Sequence, residues 1–281
     1  MGNGTGLSRQ QKRLVAGAVA EVDGAQIVAS RHLSIPQKYE QAFSMIEIAE
    51  EVASYRVRQR RPELSKALAL HLVRKADVTG ERVAEMADET MQFREFLRSV
   101  LDALEAAQVE YLIGGAVAAW AWGEARTTRD FDVVVNLPLD RIVTLSQELA
   151  KRHMAVPHEI IVDLLLSPAD LPFHAIHTSN GYKAEIFLLK PDDALRASAL
   201  NRRLPVDLGP SIGEVYVHSP EDLILYKLLY FSLSQQPKHI RDIASIVQTI
   251  GDDLEMAYIR RWVARLGLDE LWQEVWEQVQ H

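Results

Sequence analysis

The chain has 281 residues, of which 48% are apolar and 25% charged, with a formal net charge of −8 and no cysteine. That is enough apolar material for one large domain or two small ones, each with a real core. The lack of cysteine excludes disulfides, thiolate metal sites and a cysteine nucleophile, and the negative balance argues against a protein that coats nucleic acid non-specifically.

No apolar run approaches the ~20 residues needed to cross a bilayer, and the glycine-rich start Met1–Gly6 lacks the basic-then-apolar layout of a secretion signal. Both place the chain in the cytoplasm, with no membrane partner. A modest helical pattern around Leu14, Val15 and Val19 breaks at Asp23-Gly24. From Ile35-Pro36 the spacing of Tyr39, Phe43, Ile46 and Ala53 predicts a helix running to about Gln59, with Pro36 suited to its first turn. Arg56, Arg58, Arg60 and Arg61 at its end complement the helix dipole. A solvated helix end is the commoner meaning of such a cluster, and contact with RNA phosphates the rarer one. Glu63-Leu64-Ser65 opens another helix, and a third is expected from about Glu81 to Gln108.

The stretch from Tyr111 to Asn136 is where chemistry concentrates. A short apolar run, Tyr111–Ile113, stops at Gly114-Gly115, and the small-residue segment Ala116–Trp122 follows as a buried helix. Two glycines let backbone pass close to a ligand and leave the helix's first N–H groups pointing at it, and phosphate is the natural guest. Next, Asp130-Phe131-Asp132-Val133-Val134-Val135 reads as a strand with carboxylates at i and i+2, both on one face. Like charges that close are tolerable chiefly around a divalent cation, and magnesium, which favours carboxylates and phosphates, fits best.

Further on, Leu139–His153 reads as a helix, and Ile160–Leu166 as a strand or short helix containing Asp163. Phe173–His177 and Tyr182–Leu189 form a hairpin signal across Thr178–Gly181, with Glu185 in the middle of the second strand. Residues 190–210 read as helix and loop, and Glu214–Val217 as a strand. Ser219 then suits a helix N-cap and Pro220 its first position. Lys227, inside this apolar helix, needs a triphosphate or a carboxylate as partner, and Asp242 on the next helix is the obvious ion-pair candidate.

The combination of a Gly-Gly turn, a helix and Arg126-x-Thr128-x-Asp130-Phe131-Asp132 resembles the signature of the DNA polymerase β-like nucleotidyltransferase superfamily. The later Ser219-Pro220-Glu221-Asp222, Lys227 and Arg241-Asp242-Ile243 resemble a bacterial and archaeal subgroup that includes toxins of toxin–antitoxin pairs. The resemblance covers roughly residues 95–275. It implies an α/β (α+β) nucleotidyltransferase fold, a small mixed twisted sheet flanked by helices, with N-terminal and C-terminal helical regions. The expected division is a helical module over 1–90, a nucleotidyltransferase core over 91–212 and a helical region over 213–281.

The same resemblance implies transfer of a nucleoside monophosphate from a nucleoside triphosphate to a hydroxyl, with two magnesium ions. Asp130, Asp132 and Glu185 would hold the metal, Glu185 standing where the family commonly has Asp. Asp163 is the rival third carboxylate. Gly114, Gly115, Arg126, Thr128 and Lys227 would bind the nucleotide, and Lys227 and Asp242 would serve the active site. The expected acceptor is RNA, including transfer RNA, or a protein, with an aminoglycoside-like alcohol as a further candidate. An antitoxin-type partner, or regulation by residues 1–90, is implied by a weaker resemblance of Tyr39–Ala76 to helical proteins associated with such enzymes. The alternative is a nucleotide-binding regulatory protein without turnover. A metal-dependent phosphohydrolase is disfavoured, because no His pair with helical ligand spacing lies close to the carboxylates.

Overall fold

The computed structural model describes residues 7–74 and 91–280. Two short helices, α1 (Arg9–Ala20) and α2 (Gly24–Arg31), precede the long α3 (Ile35–Arg60) and α4 (Lys66–Arg74). Helix α3 begins where its sequence directs: Ser34 and Gln37 form a capping box and Pro36 sits in the first turn. Helix α5 (Phe93–Ala106) follows with its N-cap at Gln92, and the part of that helix expected upstream of residue 91 lies outside the described residues. Its buried Phe93, Phe96, Leu97, Val100, Leu101 and Leu104 make a regular amphipathic stripe.

Then come β1 (Glu110–Ile113), α6 (Gly115–Trp122), β2 (Asp130–Asn136), α7 (Ile142–Ala150), α8 (His158–Leu166), β3 (Phe173–Ile176) and β4 (Lys183–Leu188). After α9 (Ala194–Asn201), β5 (Leu204–Asp207) and β6 (Glu214–Val217), the chain closes with four helices: α10 (Pro220–Ser234), α11 (Pro237–Ile250), α12 (Met256–Leu266) and α13 (Asp269–Gln280). The sheet is mixed, in the order β3-β4-β2-β1-β6-β5. Strand pairs β1–β2, β3–β4 and β5–β6 are antiparallel, whereas β2–β4 and β1–β6 are parallel. This is the mixed α/β architecture with flanking helical regions that the sequence implies.

Two elements differ from the sequence reading, and one open alternative is resolved. Residues 139–150 are split into a 3-10 turn over Leu139–Arg141 and α7, rather than one helix to His153. The apolar run with Asp163, read as strand or short helix, is a helix, α8. Residues 204–207, expected as loop, form β5 at the sheet edge, the one place where Pro205 can sit in a strand without costing an inner ladder bond.

The N-terminal helices share one buried cluster with the sheet and its helices. Tyr39 and Phe43 of α3 pack edge-on against Trp120 of α6, with ring centroids 5.5 and 5.7 Å away. The Tyr39 hydroxyl donates to the Val117 carbonyl at 2.7 Å and Lys38 Nζ to the Ala121 carbonyl at 3.3 Å. Arg94 of α5 bridges Glu40 and Glu47 of α3. No helix among the described residues is long and apolar enough to cross a membrane.

Candidate active site

The central cavity, about 640 Å³, is bounded below by one sheet face and on its sides by α3, α4, α6 and α10. Parallel register explains its floor. Asp130 stands beside Lys183 and Asp132 beside Glu185, across β2 and β4. Alternation puts all four side chains on the same face, while Phe131, Val133, Ala184 and Ile186 go into the core behind. His174 on β3 continues the row beside Glu185, with Nε2 3.8 Å from Oε1. The two acidic strands therefore meet although two helices and β3 separate them in sequence.

The glycine bend caps this row. Gly114 N–H donates to the Asp132 carbonyl at 2.9 Å, joining the bend to β2. Gly115 has φ +59°, a left-handed conformation that glycine accepts freely. A Cβ built on it would fall 1.7 Å from Asp132 Oδ2 and 2.6 Å from its Cγ. The Asp132 carboxylate thus rests in the space left by the absent side chain. Burial pushes its carboxyl up to about 6; Lys227 opposes the shift, and Glu185 and Asp130 reinforce it.

Asp130, Asp132, Glu185, Gly114, Gly115, Arg126, Thr128 and Lys227 all line this one cavity. Asp163 does not; it is exposed on α8. Glu185 lies mid-strand with its side chain 24% exposed, not at an open hairpin end. Thr128 turns its hydroxyl onto the Asp130 backbone, where Oγ1 accepts from Asp130 N–H at 3.3 Å.

Asp242 on α11 is the partner of two cations. Lys227 Nζ is 2.6 Å from Oδ2, and Arg126 reaches both oxygens, at 2.7 and 2.9 Å. Burial alone would raise the Asp242 carboxyl, but Lys227 and Arg126 outweigh it and hold the group below the usual carboxylate range. The loop ahead of β2 is fastened to α11 a second time, where buried Glu124 accepts from Arg241 at 2.7 Å. The C-terminal helices thereby fix the cations that face the carboxylates.

Sequence reasoning missed three groups. Lys183 places Nζ 2.6 Å from Glu185 Oε1 and 3.4 Å from Asp130 Oδ1. Its signal was present, a Lys two residues before Glu185 and so on the same face. His218, where β6 meets α10, is buried beside Gly114, and neither ring nitrogen has a hydrogen-bond partner among the described residues. Burial, then Arg196 and Lys227, push its imidazole down to about 3 and hold it neutral. Tyr226, nearly two turns into α10, lies tilted beside it with centroids 5.1 Å apart and also lines the cavity.

The donor set suits a hard divalent cation: carboxylate oxygens on one face, beside a cradle that a Cβ would fill. As the side chains stand, no three His, Cys, Asp or Glu groups among the described residues converge tightly enough to hold an ion. The Lys183 ammonium lies between Asp130 and Glu185 instead.

No protein-family model and no curated protein sequence matches the chain. Among solved structures it is similar to the antibiotic-resistance factor ANT(2'')-Ia in solution, at 15% identity over 64% of this chain and 96% of that one, TM-score 0.44. It is also similar to ANT(2'')-Ia in complex with adenylyl-2''-tobramycin, at 17% identity over 62% and 98%, TM-score 0.45. A third similar structure is an antigenic nucleotidyltransferase-like protein from Paracoccidioides brasiliensis, at 18% identity over 68% and 93%, TM-score 0.36.

Proposed function

We propose that the chain is a nucleotidyltransferase: a hydroxyl attacks the α-phosphate of a nucleoside triphosphate, the new ester keeps the nucleoside monophosphate, and pyrophosphate leaves. The observation that carries this reading is the placement of Asp130, Asp132 and Glu185 on one sheet face, in one cavity with the Gly114-Gly115 bend. Asp130, Asp132 and Glu185 would hold magnesium. When bound, the ion neutralises triphosphate charge and acidifies the attacking hydroxyl. Gly115 and Ala116, at the start of α6, line the cavity, and the N–H groups of a helix's first turn suit phosphate oxygens. Arg126 and Lys227 add positive potential where the leaving pyrophosphate gathers charge. Asp242 holds both cations in place, Lys227 on its apolar helix and Arg126 on the loop ahead of β2.

The acceptor in this reading is an RNA end or a protein hydroxyl, and a toxin of a toxin–antitoxin pair is one setting for such transfer. The test incubates the protein, magnesium and each α-phosphate-labelled triphosphate with total RNA, cell lysate or a panel of small alcohols including an aminoglycoside. Label transfer that requires Asp130 supports the reading; label that stays entirely in free nucleotide, with no pyrophosphate released, overturns it. One observation favours the second reading, nucleotide binding without turnover. Arg126 and Lys227 are both committed to Asp242, so neither is free to follow charge onto a leaving group. Binding of magnesium–triphosphate without pyrophosphate release distinguishes that case.

A further inference from the structure

Asp130, Lys183, Asp132 and Glu185 form the four corners of a square on the cavity floor, fixed by the in-register parallel pairing of β2 with β4. Three corners are acidic, and three carboxylates packed together repel one another. Arg126 and Lys227 are both paired with Asp242, and Lys227 and Lys238 act on Asp132 only through space. The fourth corner supplies the balance. Lys183 Nζ reaches Glu185 Oε1 at 2.6 Å and Asp130 Oδ1 at 3.4 Å, across the gap between the two strands.

We infer that Lys183 is a positioning residue that holds Asp130 and Glu185 together in the ion-free protein, and that a divalent cation must displace its ammonium to bind. The inference rests on the reading of Asp130, Asp132 and Glu185 as the cation ligands. Its physical basis is competition. An ammonium is a compact point charge on a flexible four-carbon stem, able to occupy the carboxylate gap and to swing out of it. With side chains 33% (Lys183), 49% (Asp130) and 24% (Glu185) exposed, the group has solvent to move into. While it stays, it occupies the gap between Asp130 and Glu185 that an ion would take. Once it leaves, the three acids offer their full charge to the incoming ion. Lys183 therefore keeps the acids in register without an ion and lowers the site's affinity for one.

The experiment titrates Mn²⁺ into the full-length, ion-stripped protein, following free Mn²⁺ by electron paramagnetic resonance, for wild type, Lys183→Met, Lys183→Arg and Asp130→Asn. Lys183→Met is expected to bind Mn²⁺ roughly tenfold tighter, the effect of removing one charge at contact distance. Lys183→Arg restores affinity close to wild type, and Asp130→Asn weakens binding. If Lys183→Met binds no tighter while Asp130→Asn still weakens binding, the inference is overturned and the nucleotidyl-transfer reading stands. If no Mn²⁺ binding depends on Asp130, the inference and the cation site fall together. A second measurement needs no variant: acetylation of Lys183 by an amine-reactive ester, mapped by mass spectrometry, speeds up when Mn²⁺ is added to wild type. An unchanged rate overturns the displacement.

Discussion

The Asp132 carboxylate lies against the bare Cα of Gly115, so close that a side-chain carbon there would fall 1.7 Å from Oδ2. Gly115→Ala must therefore displace a carboxylate and also impose a left-handed backbone on alanine, which costs about 1–2 kcal/mol by itself. The expected result is a drop of at least that size in urea stability, with loss of triphosphate binding. Gly114→Ala, whose added carbon meets the His218 ring at 3.2 Å and the Asp132 carbonyl at an ordinary 3.8 Å, should be milder. Equal effects of the two substitutions would refute the cradle.

Asp130→Asn and Glu185→Gln keep side-chain size and remove charge at two corners of the floor. Both should cut label transfer by at least about a hundredfold, in line with losing a charge-stabilising group at a reacting centre. Asp130 is half exposed, so its variant should keep wild-type circular dichroism and melting. Full activity in either would remove that residue from the site.

Asp242→Asn leaves Lys227 and Arg126 facing each other in a buried position. Breaking a buried pair in this way costs about 3–5 kcal/mol. Denaturation of Asp242→Asn, Lys227→Met and the double variant should show the double to be less destabilised than the sum of the singles, because Lys227→Met also removes the charge that Asp242→Asn strands. Additive losses would mean that the pair contributes no coupling.

His218 supplies a pH signature. Its imidazole titrates at about 3 in the fold against 6.5 for the free group, so as pH falls below 6.5 the unfolded chain takes up a proton that the folded chain refuses. The His218 contribution to stability should thus be constant above about 7 and decline toward pH 4; His239, lowered to about 4, adds to that decline, and Asp132, raised to about 6, opposes it. The His218 part of the decline is about 1.4 kcal/mol per pH unit once the unfolded histidine is protonated. His218→Asn should show a shallower decline between pH 6.5 and 4.5 in chemical denaturation. An unchanged slope would place the titration elsewhere.

Much of the site was legible because its signals are local. The Gly-Gly stop after Tyr111–Ile113, the alternating Asp130 and Asp132, and the Ser219-Pro220 helix start each depend on a few neighbouring residues. Even the Lys227–Asp242 pair could be read, since an apolar helix cannot leave its lysine alone. Strand β5 was not legible, because Pro205 speaks against a strand unless its edge position is known. Lys183 escaped notice for a different reason. Its contact with Asp130 depends on the register between β2 and β4, which tertiary packing sets and the pattern of neither strand records.

The parallel pairing of β2 with β4 has a consequence for the order in which the molecule comes into being. Parallel neighbours cannot be joined by a tight turn, so Asp132 has no Glu185 beside it until α7, α8 and β3 have been translated and packed. Asp242, which steadies Arg126 and Lys227, arrives later still, on α11. A ribosome-bound fragment ending short of that helix carries the Gly-Gly bend and both early aspartates and still has no assembled centre. The cavity floor and the cations beside it are thereby brought together only after α11 has been made.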